Sequence, residues 1–371
     1  MSRGYNRLGI FAMYSEDGVV DDYIIFLLDK MLEEVLSELI VVSNGPIKDE
    51  YYKKLEKRTT SIYLREDRGF DGGAYQDLFL NLCSDKKWGC YDEIVLFNDS
   101  FYGPIHSMKH TFEMMEKKNY DFWGMLYCRF DDEEIYKYGF NTFFVVFSNS
   151  VIKDESFVEY WRGMKEETYY GRPGCFERTI TMYFESKGFS HGSVLNENGW
   201  KESVLEKYPR WGYDAKDMLD EYSLPVLKCR ALSIFHYENT KGVLKYIKNE
   251  TEYDVNLIEN HRDRLSKKNQ LGDYTEKQLE DFVKEHNNIY IYGHGQYGMS
   301  LKEYFKDHNW DVAGFLVSKD ALGDEICIDD FELDHLDGIV VALAPDKIMQ
   351  IKDKVKRIPE RQLLMYGHRS L

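Results

Sequence analysis

Short apolar runs alternate with amphipathic segments along the first part of the chain. A helix is predicted after Asp21, a suitable N-cap, because Ile24, Leu28, Met31 and Val35 repeat on one helical face. A second helix is predicted over residues 74–83, entered through Gly72 and Gly73. Buried strands are predicted at residues 8–13, 39–42, 61–64 and 93–97. Strands that alternate with helices imply an α/β fold with a mostly parallel sheet, which binds ligands at the carboxyl ends of its strands.

The pattern becomes mixed further along and then repeats on a smaller scale. Strands are predicted at residues 122–127 and 142–147, and a helix at residues 174–187. A second βαβ pattern opens at Asn288, with strands near residues 289–292, 312–317, 339–343 and 362–365. We therefore expect a first domain over residues 1–248, a polar helical connecting segment over 249–286 and a small Rossmann-like α/β domain over 287–371.

Composition narrows the class of protein. The chain has 371 residues, enough for two or three domains that fold without disulfides or metal. Acidic residues outnumber basic ones 65 to 48, for a net charge of −17. This balance argues against nucleic acid as a partner, although a local phosphate site stays open. Aromatic residues make up 15%, which agrees with stacking on sugars or bases and equally with a tyrosine-rich core.

Cysteine usage and hydropathy indicate a cytoplasmic protein. The N-terminal residues have no apolar signal core, and no run of 18 apolar residues suggests a membrane span. The cysteines lack Cys-x-x-Cys spacing, so they predict reduced thiols rather than a zinc site or a disulfide framework. They stand at Cys83, Cys90, Cys128, Cys175, Cys229 and Cys327.

The chemistry of the first domain is concentrated after its third and fourth predicted strands. Glycines at Gly69, Gly72 and Gly73 would allow a phosphate or sugar to approach the backbone closely. Nearby are Arg65 and Arg68, which could supply charge to a diphosphate. Asp99 could ligate a divalent cation or hydrogen-bond a sugar. The alternative is that Asp71 and Asp99 are ordinary cap or turn residues.

These residues belong to a series of short motifs that follow one another in order along the chain. They occupy residues 11–14, 20–23, 42–45, 65–74, 98–104, 121–124, 143–147 and 157–161. Over residues 5–240 the chain resembles the rhamnan synthesis protein F family, glycosyltransferases that build rhamnose-containing surface polysaccharides. The resemblance implies a glycosyltransferase A-type αβα sandwich, a nucleotide-sugar donor and a glycan or lipid-linked acceptor.

The resemblance also implies roles for individual residues. Enzymes of this type usually carry Asp-x-Asp for metal and diphosphate, whereas this chain has one acid, Asp99, between Asn98 and Ser100. Mg²⁺ or Mn²⁺ held by Asp99, with His236 as a companion, is one alternative. A metal-free site with Arg65 or Arg68 is the other. The expected donor-binding residues are Ala12, Tyr14, Arg65, Arg68, Asp71, Gly72, Gly73, Asp77, Asn98 and Ser100.

The acceptor side and the catalytic base are expected in the later half of the first domain. Tyr102 and Trp123 are candidates for stacking on sugar rings, while Trp161 has the pattern of a core residue. By position Glu177 matches a general base, next to the alternative that it only stabilises a helix dipole. His191 competes with His236 as the late histidine near the diphosphate, and both could be ordinary hydrogen-bonded residues.

The last domain contains a glycine turn between a predicted strand and a predicted helix. Gly293, Gly295 and Gly298 form GxGxxG, which could bring a helix N-terminus to a pyrophosphate. No acid is clearly placed to hold a ribose, since Asp320 already lies in the loop. The segment resembles small Rossmann-like domains appended to polysaccharide-synthesis enzymes and sugar acyltransferases. A purely structural or assembly role is the alternative.

Three functions follow from these observations. The first is transfer of a sugar, which the family resemblance alone identifies as L-rhamnose from a deoxythymidine diphosphate donor, with peripheral association to membrane-bound pathway enzymes at the inner face of the cell membrane. An NAD-dependent oxidoreductase or epimerase is the second, although no Tyr-x-x-x-Lys pair follows the glycine turn. The third is a non-catalytic nucleotide-sugar-binding scaffold.

Overall fold

Contacts divide the protein into two compact units. The computed structural model describes residues 4–83, 87–129, 138–165, 176–200, 209–267, 274, 276–319, 321–323, 325–343 and 345–365. The first unit comprises Met1–Cys229 and Tyr246–Tyr253, and the second comprises Arg230–Lys245 and Asp254–Leu371.

A seven-stranded sheet forms the centre of the first unit, in the order β10-β6-β9-β4-β1-β2-β3. Its strands from β1 to β4 are mutually parallel, β9 is antiparallel to both β4 and β6, and β10 is parallel to β6. Two-stranded pairings join β11 to β5 and β7 to β8. The strands are β1 (Arg7–Met13), β2 (Glu38–Asn44), β3 (Ser61–Arg65), β4 (Glu93–Asn98), β5 (Phe101–Tyr102), β6 (Phe122–Gly124), β7 (Tyr127–Arg129), β8 (Tyr138–Phe140), β9 (Phe144–Ser148), β10 (His191–Ser193) and β11 (Leu227–Lys228).

Amphipathic helices connect these strands. The first of them begins directly after Asp21, as predicted, and buries an apolar face that includes Leu27, Leu28 and Met31. The helices are α1 (Asp22–Glu34), α2 (Asp49–Leu55), α3 (Phe70–Asp77), α4 (Met108–Glu116), α5 (Asn149–Lys153), α6 (Glu155–Gly163), α7 (Phe176–Ser186), α8 (Val194–Glu197) and α9 (Trp211–Asp220). The next helix, α10 (Tyr237–Glu250), begins in the second unit and ends in the first. Shorter pieces of the first unit are a π-helix at Leu78–Leu82 and a 3₁₀-helix at Trp88–Cys90. A 3₁₀-helix at Cys229–Ala231 spans the boundary in the chain, and one at Ile234–His236 belongs to the second unit.

The core of the first unit is rich in aromatic side chains. Every residue of β1 and of β4 is buried, as expected for central strands of a parallel sheet. Phe122 and Phe147 stack with ring centroids 6.0 Å apart, and Trp161 is fully buried, as predicted. Much of the high aromatic content is therefore packing inside the protein.

The second unit has a five-stranded parallel sheet in the order β14-β13-β12-β15-β16. Its elements are α11 (Asn256–Lys267), α12 (Glu276–Glu285), β12 (Asn288–Tyr292), α13 (Gln296–Asp307), β13 (Gly314–Val317), β14 (Ile326–Cys327), β15 (Asp337–Val341), α14 (Pro345–Val355) and β16 (Leu363–Leu364), with 3₁₀-helices at Ile328–Asp330 and Glu360–Gln362. Together the two sheets confirm the predicted α/β class, with a mostly parallel sheet in the first unit followed by a smaller parallel α/β unit.

The unit boundary differs from the predicted one at residue 248. Ile234 and Phe235 pack in the core of the second unit, together with Tyr274, Leu279 and Phe282 from the predicted connecting segment. The polar segment over residues 249–286 therefore contributes side chains to a core. Leu279, Phe282 and Val283 have helical spacing at the end of the segment, but this local pattern does not indicate which core they join.

Two predicted elements differ locally from the structure. The strand predicted over residues 122–127 is interrupted, because the carbonyls of Met125 and Leu126 accept hydrogen bonds from Leu195 and Asn141. The helix predicted from residue 74 begins at Phe70, so Gly72 and Gly73 lie inside its first turns. Residues 174 and 175 of the helix predicted over residues 174–187 lie outside the described part of the chain, as does Asp320.

Among the described helices, none combines the length and the apolarity that crossing a membrane requires.

Truncating Leu96 in the centre of β4 should destabilise the first unit strongly. The side chain is fully buried, so Leu96→Ala removes packing and leaves a cavity, at a cost of about 2–5 kcal/mol. Leu64→Ala makes the same change on the edge strand β3, where the side chain is 52% exposed. We expect the control to stay within about 0.5 kcal/mol of the wild type in urea unfolding. Equal losses for both variants would contradict the assignment of β4 as the central strand.

Candidate functional site

Four parallel strands of the first unit end at one edge of the sheet. The register pairs Ala12 of β1 with Val42 of β2 and with Asn98 of β4, and it pairs Asn44 with Arg65 of β3. The loops that follow these strands therefore converge there, as predicted from the strand order. We call this region the carboxyl edge, meaning the ends of β1–β4 with Tyr14, Asp71, Asp99 and Ser100.

Asp99 follows β4 and is held from two sides. Its carboxylate accepts a hydrogen bond of 2.9 Å from the backbone N–H of Tyr14, and its carbonyl accepts one of 2.5 Å from the hydroxyl of Tyr23. The residue keeps some contact with solvent, but its carboxyl group is packed among protein atoms. Burial raises the pKa of Asp99 to about 6, against the lowering effect of the Tyr14 bond, while nearby Asp71 raises it further and Lys228 lowers it.

Asp71 brings a second carboxylate to the carboxyl edge. It lies in the first turn of α3, and its Oδ2 accepts a 2.8 Å hydrogen bond from Nδ2 of Asn98. Burial raises the pKa of Asp71, the Asn98 bond and the charge of Lys228 lower it, and the charge of Glu177 raises it. Asp71 therefore interacts with Asn98 at the end of β4, with the charge of Lys228 in β11 and with the charge of Glu177 in α7.

A continuous set of hydrogen bonds joins Lys228 to Asp71. Nζ of Lys228 donates to Oγ of Ser100 at 2.7 Å, and the Ser100 hydroxyl donates to Oδ1 of Asn98 at 2.5 Å. Asn98 then donates to Asp71 through its amide nitrogen. An ammonium and a carboxylate are thus linked through two neutral side chains, Ser100 and Asn98.

The guanidinium of Arg65 donates hydrogen bonds to three protein groups. Its Nε donates to Asp77 Oδ2 at 2.7 Å, one NH₂ group donates to the carbonyl of Arg68 at 2.9 Å, and the other donates to Oδ1 of Asn44. This guanidinium therefore connects the ends of β2 and β3 with α3. Arg68 is exposed in the turn before that helix.

The glycines of this region face protein atoms. A Cβ at Gly73 would lie 2.3 Å from the carbonyl oxygen of Arg68, and one at Gly72 would lie 2.7 Å from Cβ of Phe176. Packing alone accounts for both glycines, and their predicted contact with a donor stays a prediction. Between Gly69 and Asp71 the backbone is left-handed at Phe70, with φ of 52°, and the Phe70 ring is 40% exposed.

Glu177 lies in the first turn of α7 and has a buried partner. Its Oε1 accepts a 2.6 Å hydrogen bond from Nδ2 of Asn141, whose Oδ1 accepts from Nε1 of Trp211 at 3.3 Å. Asn141 and Trp211 are both buried, so this contact orients the carboxylate rather than merely offsetting the helix dipole. The side chain of Glu177 remains half-buried.

The two predicted acceptor-stacking residues lie in the core. Tyr102 is 1% exposed and packs against Tyr23, while Trp123 is 3% exposed and packs against Phe112 and Phe144. A ring that is covered by other rings cannot stack on a sugar, so the structure does not support this part of the prediction.

The histidines do not complete a metal site. His191 hydrogen-bonds the hydroxyl of Tyr127 at 2.7 Å, and burial lowers its pKa. His236 belongs to the second unit, where its ring packs edge-on against Tyr297, whereas Asp99 belongs to the first. Within the described ranges, no group of three or more His, Cys, Asp or Glu side chains could hold a metal ion. The predicted metal pair of Asp99 and His236 is therefore not found within either unit.

The side chains at the carboxyl edge can also be tested for their ability to hold a resident Mg²⁺ or Mn²⁺. Such ions are held by carboxylates together with substrate phosphates. Both Asp71 and Asp99 already accept hydrogen bonds from protein donors, and the hydroxyl of Ser100 accepts from Lys228. With two carboxylates and, among the described residues, no group of three or more His, Cys, Asp or Glu side chains, the edge by itself forms no complete site for a divalent cation.

The glycine turn of the second unit has the predicted context between β12 and α13. A Cβ at Gly298 would lie 1.8 Å from the carbonyl oxygen of Gly293, so this glycine lets the helix pack closely on the turn. In front of Gly295 the space is open within 4 Å. His294 stacks on Phe315, with ring centroids 3.9 Å apart, and pairs with Glu325. Binding of a nucleotide at this turn stays a prediction.

The residues that sequence reasoning missed come from distant segments. Lys228 is separated from Ser100 by 128 positions, and Asn141 precedes Glu177 by 36. Lys228 is preceded by the apolar residues Val226 and Leu227, a hint that its segment is a strand, but nothing there indicates which strand it joins.

One comparison with known proteins identifies a family for this chain. Residues 39–310 match the family model described as rhamnan synthesis protein F, which covers more than half of the chain and extends into the second unit. An uncharacterized protein, y4gN of Sinorhizobium fredii, is 25% identical over 193 residues, which are 50% of this chain and 48% of that protein. The chain thus spans about half the length of this curated relative.

Solved structures show only weak likeness. Core-mannan synthase A from Aspergillus fumigatus, in a Mn/GDP form, has 9% identity and a TM-score of 0.30, covering 43% of this chain and 64% of that one. Glucosyl-3-phosphoglycerate synthase from Mycobacterium tuberculosis, with Mn²⁺, UDP and phosphoglyceric acid, has 9% identity and a TM-score of 0.26, covering 40% and 57%. A cytidylyltransferase from Leptospira borgpetersenii has 12% identity and a TM-score of 0.33, covering 67% and 100%. Likenesses this weak carry no inference about the chemistry of the chain.

Removing the charge of Asp99 should stabilise the protein at neutral pH. Its pKa is about 6 in the folded state against an ordinary value of 3.8, so the folded state loses stability as pH rises through this interval. Asp99→Asn keeps an acceptor for the Tyr14 N–H and removes this penalty. After allowance for partial exposure, we expect a gain on the order of 1 kcal/mol at pH 7 that disappears near pH 4.

Thermal unfolding between pH 4 and pH 8 measures this difference. Asp67→Asn, at an exposed position in the loop after β3, is the matched control for loss of a carboxylate. An Asp99→Asn variant that is less stable than the wild type at pH 7 would contradict the proposed burial of the charge.

Proposed function

The chain belongs to the rhamnan synthesis protein F family, and on that premise we propose that it is a glycosyltransferase. It transfers a sugar, L-rhamnose from a deoxythymidine diphosphate donor, to a hydroxyl group of a glycan or lipid-linked acceptor in surface-polysaccharide synthesis. With such an acceptor, the protein would meet its substrate beside membrane-bound enzymes of the same pathway. The observation that carries the proposal is the cluster of charged and polar side chains at the carboxyl edge, where an open α/β sheet binds nucleotides.

We place the donor along the carboxyl edge. The diphosphate would lie beside Asn98, Asp99 and Ser100, where Asp99 accepts a hydrogen bond from a donor hydroxyl. Two aromatic residues, Tyr14 directly after β1 and Phe70 at the start of α3, are each 40% exposed and offer ring faces for the nucleobase. The left-handed backbone at Phe70 supports a functional role, because a bulky residue in that conformation is strained by roughly 1–3 kcal/mol.

In the proposed reaction, Glu177 acts as general base. The acceptor oxygen attacks the anomeric carbon and its proton passes to the Glu177 carboxylate. The bond between the anomeric carbon and the diphosphate oxygen breaks, and its electron pair stays on the departing nucleoside diphosphate. A single displacement of this kind inverts the anomeric centre. The hydrogen bond from Asn141 supports this role because it orients the carboxylate through one of its two oxygens.

Nucleotide binding by the full chain tests the proposal directly. We expect thermal stabilisation by deoxythymidine or uridine diphosphate compounds, worth about 2.7 kcal/mol at 100 times the dissociation constant. A variant with a charge at the glycine turn of the second unit, Gly295→Glu, should respond equally, since the predicted site lies in the first unit. A response to NAD(H) alone, or one that Gly295→Glu abolishes, would instead favour the oxidoreductase or a site in the second unit.

Neutralising the predicted base should slow transfer without weakening donor binding. Glu177→Gln keeps an oxygen for the Asn141 bond but cannot accept the proton, so kcat should fall by about 10²- to 10⁴-fold. Glu185→Gln makes the same change further along α7, where the carboxylate binds the hydroxyl of Tyr138, and serves as the control. Initial rates with a nucleotide-sugar donor, read beside nucleotide affinity, separate the two effects. Unchanged turnover in Glu177→Gln would eliminate this residue as the base, and a wild type that binds the donor without turnover would favour the scaffold.

A further inference from the structure

Lys228 is fixed beside Ser100 by both its backbone and its side chain. The short strand β11 pairs antiparallel with β5, which places Lys228 opposite Phe101. The next residue, Cys229, donates its N–H to the carbonyl of Ser100 at 2.9 Å. Nζ of Lys228 reaches Oγ of Ser100 at 2.7 Å and lies 4.5 Å from the centre of the Phe143 ring. The ammonium is therefore held at the carboxyl edge by several independent contacts.

The charge of Lys228 acts on both carboxylates of the edge. It lowers the pKa of Asp71 and the pKa of Asp99, which places the ammonium near each of them. Of the two arginines expected to serve a diphosphate, Arg65 has a side chain that is 9% exposed and paired with Asp77, and Arg68 is exposed in the turn before α3. Lys228, in contrast, lies directly beside Ser100 at the end of β4, where the diphosphate is proposed to lie.

Neutral side chains stand on either side of Asp99. Asn98 and Ser100 occupy positions where acids would be needed to bring further carboxylates to a divalent cation, and both belong to the hydrogen-bonded set that Lys228 completes. A diphosphate placed beside Ser100 would then meet an ammonium rather than a metal ion.

We propose that Lys228 supplies the positive charge for the diphosphate of the donor, and that nucleotide binding needs no divalent cation. This inference rests on the proposed glycosyltransferase function. When the bond to the anomeric carbon breaks, negative charge grows on the leaving diphosphate oxygen, and an ammonium fixed in advance stabilises it. Lys228 is thus a donor-binding residue of the site.

Calorimetric titration of deoxythymidine diphosphate and uridine diphosphate into the full chain tests the inference. In the wild type, the affinity measured with EDTA should lie within about threefold of that measured with Mg²⁺ or Mn²⁺. Lys228→Met removes the charge and should weaken binding by about 10- to 100-fold in EDTA, whereas Lys228→Arg should restore most of it. Lys109→Met, a change of the same kind at an exposed position of α4, should bind as the wild type does.

A second variant separates lost charge from lost structure. Lys228→Gln keeps a donor for Ser100 and should melt close to the wild-type temperature, yet it should lose affinity as Lys228→Met does. Binding that requires Mg²⁺ or Mn²⁺ and is unchanged in both variants would overturn the role of Lys228 while the transferase proposal stands. Absence of nucleotide binding under every condition would overturn both proposals.

Discussion

Burial of charge at the carboxyl edge is the constraint on which the rest of the first unit depends. A carboxylate removed from water must gain hydrogen bonds or opposite charge, or its burial costs several kcal/mol. Asp99 obtains its bond from the loop after β1, Asp71 obtains one from the end of β4, and Lys228 reaches both electrostatically from β11. Loops that are distant in sequence are therefore held together by one electrostatic requirement.

The hydrogen bonds and the charge of Lys228 offset only part of the free energy cost of burying the two carboxylates. The pKa values of Asp71 and Asp99 remain raised, so their partners do not fully replace the water that folding removes. The charged carboxylates therefore destabilise the folded protein. A ligand that brings hydroxyl groups to the carboxylates and negative charge to the ammonium would reduce this cost. A nucleotide sugar has both kinds of group, which is why the electrostatics and the family membership support the same proposal.

Glycine and aromatic residues show how one residue type serves two purposes. Gly73 and Gly298 have the sequence context of ligand-binding turns, yet each is required because a backbone carbonyl lies where a side chain would begin. Tyr102 and Trp123 are the kinds of residue that stack on sugars, yet both fill the core. A pattern of residue types cannot separate these uses, because close approach of a ligand and close approach of another segment impose the same demand for space.

The sequence by itself determined the α/β class, the central strands β1 and β4, the edge where the ligand site is proposed and the family, because hydrophobic period and strand-end chemistry are local properties. It also indicated Asp71, Asp99 and Glu177, although it could not say what each one contacts. Only the tertiary structure decided that Arg65 is bound to Asp77, that the acceptor candidates are buried and that Lys228 stands beside Ser100. The physical reason is that the Lys228 contact depends on the pairing of β11 with β5, and such pairing follows from packing over long separations rather than from neighbouring residues.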